Sequence, residues 1–328
     1  MINVLAIDAG GTSTRAVVLD STGHCLGYGF AGGGNPISSG PERAAASILA
    51  AAEAASDAAG LPPTAVTHLL IAMAGMSVSG PTDWVSGPLA ARAFPASVTV
   101  ASDLLAIFSS GTEQPNGYAM VAGTGAAGIR VQNGQVERTA DGLGWLLGDA
   151  GSGYWIGHRV AAAVIASLDG RGPDTALVPL VLEAVGITNS EERGPEGRPT
   201  VLRDLVRELY QLRPVELSRF APLAFEARTD AVARSIVDDA IAELTRLFSA
   251  ISTPDLEGPL VVGGSIFTAQ SLVCDGVTAA LKEQGIAPEI RRVADGVVGA
   301  AVLALRDAGV TVDADVFERI GSTLAHLR

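Results

Sequence analysis

The stretch VLAIDAGGTSTRAVVLD, residues 4–20, decides the fold. An apolar run ends in Asp8, passes through Ala9-Gly10-Gly11 and Thr12-Ser13-Thr14-Arg15, and turns apolar again. Runs of this composition read as β-strands over 4–8 and 16–20, with a third over 24–30 after the Ser21-Thr22-Gly23 turn. A plain hairpin would need two turn residues. The longer small-residue connection suits a ligand that approaches the backbone, because glycines let N–H groups turn toward an anion and hydroxyls add donors.

Working outward, residues 41–59 (PERAAASILAAAEAASDAA) predict a helix with Pro41 at its start and Gly60 after its end. HLLIAMAG (68–75) and SVTVASD (97–103) predict buried strands, and LLAIFSSG (104–111) predicts a helix that begins at Asp103. The opening pattern then recurs. In GYAMVAGTGAAGIRVQNGQVERTADG (117–142) a strand over 118–122 meets a glycine-rich turn, a second strand over 128–132, the hairpin signal Asn133-Gly134 and a third strand. The repeat predicts two related α/β units, residues 1–117 and 118–311, each opening on a β-meander, with 312–328 joining the first. Helices are expected at 153–168, 176–186, 200–211, 215–227 and 229–250, a strand and turn at 258–267, and a late helix within 295–309. The charged segment 188–200 reads as a surface loop.

Bulk composition bounds the rest. The chain has 328 residues, 48% hydrophobic and 17% charged, enough for two cores. A net charge of −13 argues against nucleic acid or an anionic membrane surface as partner. It leaves room for one phosphorylated nucleotide, whose charge backbone amides and a metal can handle. Cys25 and Cys274 are too few for a disulfide framework or a four-thiolate metal site. With no basic, apolar leader and no 18-residue apolar run, a soluble cytoplasmic protein is expected.

Gly123-Thr124-Gly125-Ala126-Ala127-Gly128 matches G-x-G-x-x-G, but a dinucleotide fold needs a helix to start inside the motif. A hairpin follows instead, so that reading fails. Two glycine/threonine turns, at Gly10–Thr14 and at Gly123–Gly125, still fit a polyphosphate gripped from two sides, and either alone could be a plain turn. Asp8 would hold Mg²⁺ through water, since magnesium keeps several waters and takes few carboxylates.

DAGGTSTRAVVLD (8–20), VAGTGAAGIR (121–130), GDAGSGYWIG (148–157) and VVGGSIF (261–267) resemble the BadF/BadG-type ATPases of the actin–hexokinase superfamily and, within them, the N-acetylglucosamine kinases. The resemblance implies two ribonuclease H-like domains, α/β in class, with ATP in the cleft between them. It implies phosphate contacts from Gly10, Gly11, Thr12, Ser13, Thr14, Gly123 and Thr124, adenosine against Gly263 and Gly264, and a hinge helix over 294–301. It further implies Asp103 as the base that takes the proton of the attacking hydroxyl, with Asn35, Asp103, Gly125 and Asp149 around the sugar. The expected reaction is ATP-dependent phosphorylation of a hexosamine at its 6-hydroxyl by a homodimer. Asp103 could equally cap a helix, Asn35 could be a turn residue before Pro36, and Asp149 could cap the helix starting near Ser152.

The chain departs from the family beside the sugar site. Members commonly read GGWGxxxGDEGS where this chain reads DGLGWLLGDAGS (141–152), so Leu143 stands in place of Trp, Trp145 lies two positions on, and Ala150 replaces Glu. This puts the identity of the sugar in doubt. Tyr154 and Trp155 read as core residues and His158 as structural. Two other readings compete. One is an activator of 2-hydroxyacyl-CoA dehydratases or a benzoyl-CoA reductase subunit, which requires a cysteine-held cluster between subunits; the other is a sugar-responsive regulator, which requires a DNA-binding extension.

Overall fold

A computed structural model describes residues 2–73 and 82–328. Among these residues the strands form two five-stranded sheets. The first holds β1 (Asn3–Ala9), β2 (Thr14–Asp20), β3 (Cys25–Ala31), β4 (His68–Met73) and β5 (Thr99–Ser102) in the order β3-β2-β1-β4-β5. The second holds β6 (Gly117–Ala122), β7 (Ala126–Gln132), β8 (Gln135–Asp141), β9 (Leu260–Gly263) and β10 (Ile290–Arg292) in the order β10-β9-β6-β7-β8. In each, the opening meander is antiparallel and the later strands join in parallel. The doubling expected from the repeated meander is present, and the fold is the two-domain α/β fold of the actin–hexokinase group.

The helices are α1 (Pro36–Ser39), α2 (Pro41–Ala58), α3 (Asp83–Ala90) and α4 (Asp103–Gly111) between the sheets in sequence. Then come α5 (Gly153–Leu168), α6 (Leu177–Ala184), α7 (Thr200–Leu209), α8 (Ala221–Glu226), α9 (Ala231–Ile251), α10 (Ser265–Thr268), α11 (Ser271–Glu283), α12 (Val297–Asp307) and α13 (Ala314–Leu327). Residues 215–227, expected as one helix, are a 3₁₀ turn over Pro214–Phe220 followed by α8. Helices α1, α3 and α13 and strand β10 are absent from the sequence reading; α1, α3 and β10 are short, and α3 carries Pro88 inside it, which blurs helical periodicity. Residues 74–75 of the predicted fourth strand lie outside the described residues.

Strand β1 is buried on both faces, which is why it reads as a continuous apolar run. Val4 and Ala6 point to a core shared with α12 and α13, while Leu5, Ile7 and Ala9 point to a core shared with α2. On α2, Ala44, Ile48, Ala51, Ala52 and Ala55 repeat at helical spacing and supply that second layer. In the second sheet, Tyr118 and Met120 face the large core of α5–α9 and α11, and Ala119 and Val261 face α4 through Leu104, Ile107 and Phe108.

Two helices join the halves. Helix α12 packs on β1 and on α4, and α4 also touches β6, β7 and β9. At the α4–α12 crossing a β-carbon on Gly299 would run into the Ala106 carbonyl oxygen, so only glycine allows this approach. The Gly299 N–H donates to Ser110 Oγ at 2.8 Å. Both helices direct their N-termini toward Asp8: α4 opens on Asp103, and the N-cap of α12, Gly296, donates its N–H to Asp8 Oδ2 at 2.9 Å.

Candidate active site

The site forms where β1, β4 and β5 end, since the carboxyl ends of parallel strands are where α/β folds bind ligands. After β1 the chain closes a tight loop, with Gly10 N–H donating to the Ser13 carbonyl at 2.9 Å. Gly11 and Thr12 stand exposed at its tip. The Gly34 and Asn35 N–H groups both donate to the Gly10 carbonyl, at 3.0 and 3.2 Å, so the Asn35 segment is braced against this loop. Asn35 Oδ1 accepts the Ile37 N–H at 2.8 Å and caps α1. Thr14 behaves otherwise than expected. It is fully buried as the first residue of β2, and its hydroxyl donates to the Gly32 carbonyl at 2.7 Å, away from the loop's exposed tip.

Asp8, Asp103 and Asp295 converge at the base of this loop. Burial pushes Asp8 up to about 7; the Gly296 N–H and Arg15 oppose this, and the charges of Asp295 and Asp103 add to it. Asp103 is also raised, chiefly by burial, against hydrogen bonding to the backbone of Leu104 and of Asp103 itself. It is the first helical residue of α4, so it serves the helix end as well as facing Asp8. Asp295 is held by Arg15 at 3.2 Å and Arg328 at 2.8 Å. Arg15 also donates to Ser13 Oγ at 2.7 Å and tethers the glycine loop after β1 to the start of α12. Sequence reasoning missed Arg15 and Asp295, although both lie inside motifs it quoted.

The second loop mirrors the first at the end of β6. Gly123 N–H donates to the Gly125 carbonyl at 2.9 Å, and the N-terminus of α5 stands on the loop through Gly153 N–H to Gly123 O, 2.7 Å, and Tyr154 N–H to Thr124 O, 3.1 Å. Gly264 lies against it: φ is +87°, and a β-carbon there would come within 2.8 Å of Gly123 N. Gly263 packs on Ile107, one turn along α4 from Asp103, which ties the Gly263-Gly264 turn to the first half. Between Gly123–Thr124, Ser218 and Ser265–Gln270 opens a cleft of about 190 Å³. A larger cavity of about 570 Å³, lined by Ala101, Leu105, Glu113, Leu303 and Arg306, runs along the flank of α4 beside the C-terminal end of α12.

Asp149 stands beside the second loop, with its carboxylate 2.9 Å from where a Gly125 β-carbon would be. Its Oδ1 accepts the Ala126 N–H at 3.1 Å, and it is 8% exposed. Burial, and secondarily the charge of Asp141, raise its pKa against the Ala126 hydrogen bond. Capping of α5 falls to Ser152, whose Oγ accepts the Trp155 N–H at 3.1 Å, so Asp149 is not that helix's cap. In the same loop Leu143, Leu146 and Leu147 are exposed, and Trp145 meets Tyr154 edge-on at 5.9 Å. Tyr154 in turn stacks on His158, whereas Trp155 packs against the second core.

The model of the BadF/BadG/BcrA/BcrD ATPase family matches residues 5–304. This chain belongs to that family. It is 27% identical over 325 residues to an N-acetyl-D-glucosamine kinase of Dictyostelium discoideum, covering 92% of this chain and 97% of that protein. It is 30% identical over 178 residues to a glucosamine kinase of Vibrio cholerae, covering 54% and 60%. A solved structure of a candidate N-acetylglucosamine kinase from Chromobacterium violaceum superposes with a TM-score of 0.71 at 25% identity, over 93% of this chain and 99% of that one. Among the described residues, no helix is long and apolar enough to cross a membrane.

Proposed function

We propose that this BadF/BadG-family protein is an ATP-dependent hexosamine kinase that transfers the γ-phosphoryl group to the 6-hydroxyl of glucosamine or N-acetylglucosamine. The observation that carries the reading is the end-to-end likeness to the Dictyostelium N-acetyl-D-glucosamine kinase. The geometry supports it, since two glycine loops end β1 and β6, with Asp103 and Asp149 beside them.

In this reading Asp103 is the general base. Its raised pKa makes it a better proton acceptor for a hydroxyl than an ordinary carboxylate, provided it is ionised at working pH. Gly10, Gly11, Thr12, Ser13, Gly123 and Thr124 grip the phosphates, and Gly263 and Gly264 border the adenosine; Thr14 acts by bracing the loop from within. Asn35, Gly125 and Asp149 contact the sugar. Asp8, with Asp103 and Asp295 near it, would hold Mg²⁺ through water, although among the described residues no group of three or more His, Cys, Asp or Glu could hold the ion directly. When bound, that ion would neutralise charge on the transferring phosphoryl.

The cysteines favour the kinase over the activator reading. Cys25 is buried against α13, with Sγ 3.6 Å from the Ile320 carbonyl, and Cys274 is buried in the second core, so neither offers a thiolate to a cluster between subunits. The proposal includes a homodimer in the cytoplasm, and a division into residues 1–117 and 118–311 with 312–328, and α12 by its packing, returning to the first sheet.

The test is a coupled ADP-release screen across glucosamine, N-acetylglucosamine, glucose, N-acetylmannosamine and N-acetylgalactosamine. The gluco-configured amino sugars are expected to be the best acceptors. The assignment is wrong if no hexose stimulates ADP release, or if the galacto-configured sugar matches them.

A further inference from the structure

The two carboxylate departures of this chain from its family, an Asp gained at 141 and a Glu lost at 150, meet in space. Asp141 ends β8, and its carboxylate accepts the N–H of Asp149 at 2.7 Å through Oδ1 and that of Ala150 at 3.2 Å through Oδ2. The Leu143 N–H lies 3.4 Å from Oδ1 as well. Asp149 adopts φ +59° and Gly151 φ +81°, so successive N–H groups turn to one side and make a concavity for an anion. Asp141 fills it. The loop between folds so closely over this carboxylate that a β-carbon on Gly148 would collide with Asp141 Oδ1 and come within 3.0 Å of the Leu143 Cβ.

We infer that Asp141 is a positioning residue for sugar binding: its carboxylate locks the left-handed backbone at Asp149 and so fixes where the Asp149 side chain meets the acceptor's hydroxyls. The inference rests on the hexosamine-kinase reading and adds to it a residue that the family pattern does not hold. Asp149 takes only one backbone N–H, through Oδ1, among the described residues, so its second oxygen is the one directed by the backbone that Asp141 clamps. The clamp acts on the backbone of Asp149 and Ala150, while the first glycine loop is closed by its own Gly10 N–H to Ser13 bond.

The experiment compares wild type with Asp141→Asn, Asp141→Ala and Asp141→Glu, using glucosamine and N-acetylglucosamine as the acceptors. The asparagine keeps the shape but puts an amide N–H against the Ala150 N–H. Expected is a tenfold or greater rise in KM for the sugar in Asp141→Asn and Asp141→Ala, with KM for ATP within twofold of wild type. Asp141→Glu, which keeps the charge, should recover part of the sugar affinity. Titration of AMPPNP into each variant, followed by Trp145 and the other tryptophans, gives nucleotide affinity without turnover and identifies variants that have merely unfolded. Unchanged sugar KM in a folded Asp141→Asn, or parallel losses of sugar and nucleotide binding, overturns the clamp. If wild type phosphorylates neither sugar, the hexosamine reading has failed instead.

Discussion

Replacing Asp8 by Asn should stabilise the protein at neutral pH while impairing it as an enzyme. Burial lifts the Asp8 carboxyl from its ordinary 3.8 to about 7. Well below pH 3.8 the group is protonated in both folded and unfolded chains and contributes nothing that depends on pH. Between pH 4 and 7 the unfolded chain gives up this proton while the folded chain keeps it, so stability falls as pH rises. Above 7 both are ionised and the full cost persists. At ~1.4 kcal/mol per pH unit, the gap comes to roughly 4 kcal/mol. Asn keeps an oxygen to accept the Gly296 N–H, whose partner is now Asp8 Oδ2 at 2.9 Å, and it carries no charge to bury.

The comparison is therefore of melting curves for nucleotide-free wild type and Asp8→Asn at pH 5 and pH 8. The variant should gain on wild type by about 2 to 4 kcal/mol between the two pH values, several degrees in Tm for a chain of this size. Asp103 and Asp149 are raised too and slope the same way, but they are present in both proteins and largely cancel. In turnover the order inverts: Asp8→Asn should need more magnesium and show a lower kcat. Parallel pH profiles for the two proteins would refute the burial argument, and an unchanged magnesium titration would remove Asp8 from the metal site.

Asp103→Asn should lower kcat by a factor of about 10² to 10⁴ with nucleotide affinity intact, the range expected for loss of a general base; retention of a third of wild-type kcat would leave Asp103 as no more than a helix-end residue. Gly299→Ala should destabilise by about 1 to 3 kcal/mol, because the new methyl overlaps the Ala106 carbonyl where α12 crosses α4; calorimetry showing no loss would mean the two helices separate freely. Cys25→Ser/Cys274→Ser should keep sugar-dependent ATP turnover and bind no iron, and stoichiometric iron in anaerobically purified wild type would point to the activator reading instead.

The fold was readable because its signals are local. The meander with its small-residue turn occurs twice, and β1 and β6 present apolar side chains to both faces. Thr14 shows where local reading slipped. A strand start at residue 16 left Thr14 in the loop, whereas the observed start at 14 puts it in phase with Ala16 and Val18, on the buried face. Asp141 was out of reach for another reason. Its contacts depend on positive φ at Asp149, a conformation that no pattern of side chains announces. Arg15 and Asp295 come from opposite ends of the chain and meet only because α12 returns to β1.

That return also explains how so much negative charge is tolerated in one place. Asp103 opens α4, Asp295 lies just before the start of α12, and Asp8 accepts the N–H of that helix's N-cap, so three carboxylates share the positive ends of two helices. A helix end stabilises a nearby anion by about 0.3 to 2 kcal/mol. The roughly 4 kcal/mol deficit at Asp8 is what remains after the Gly296 N–H and Arg15 have acted against burial, so a contribution of that size does not offset it. Nor do the arginines close the gap, since Arg15 and Arg328 both pair with Asp295. A divalent cation held at Asp8 through water would supply positive charge at this point. The stability that Asp8→Asn gains at pH 8 and the magnesium affinity it loses are then two measurements of one electrostatic deficit, and they should scale together in any further variant, Asp295→Asn included.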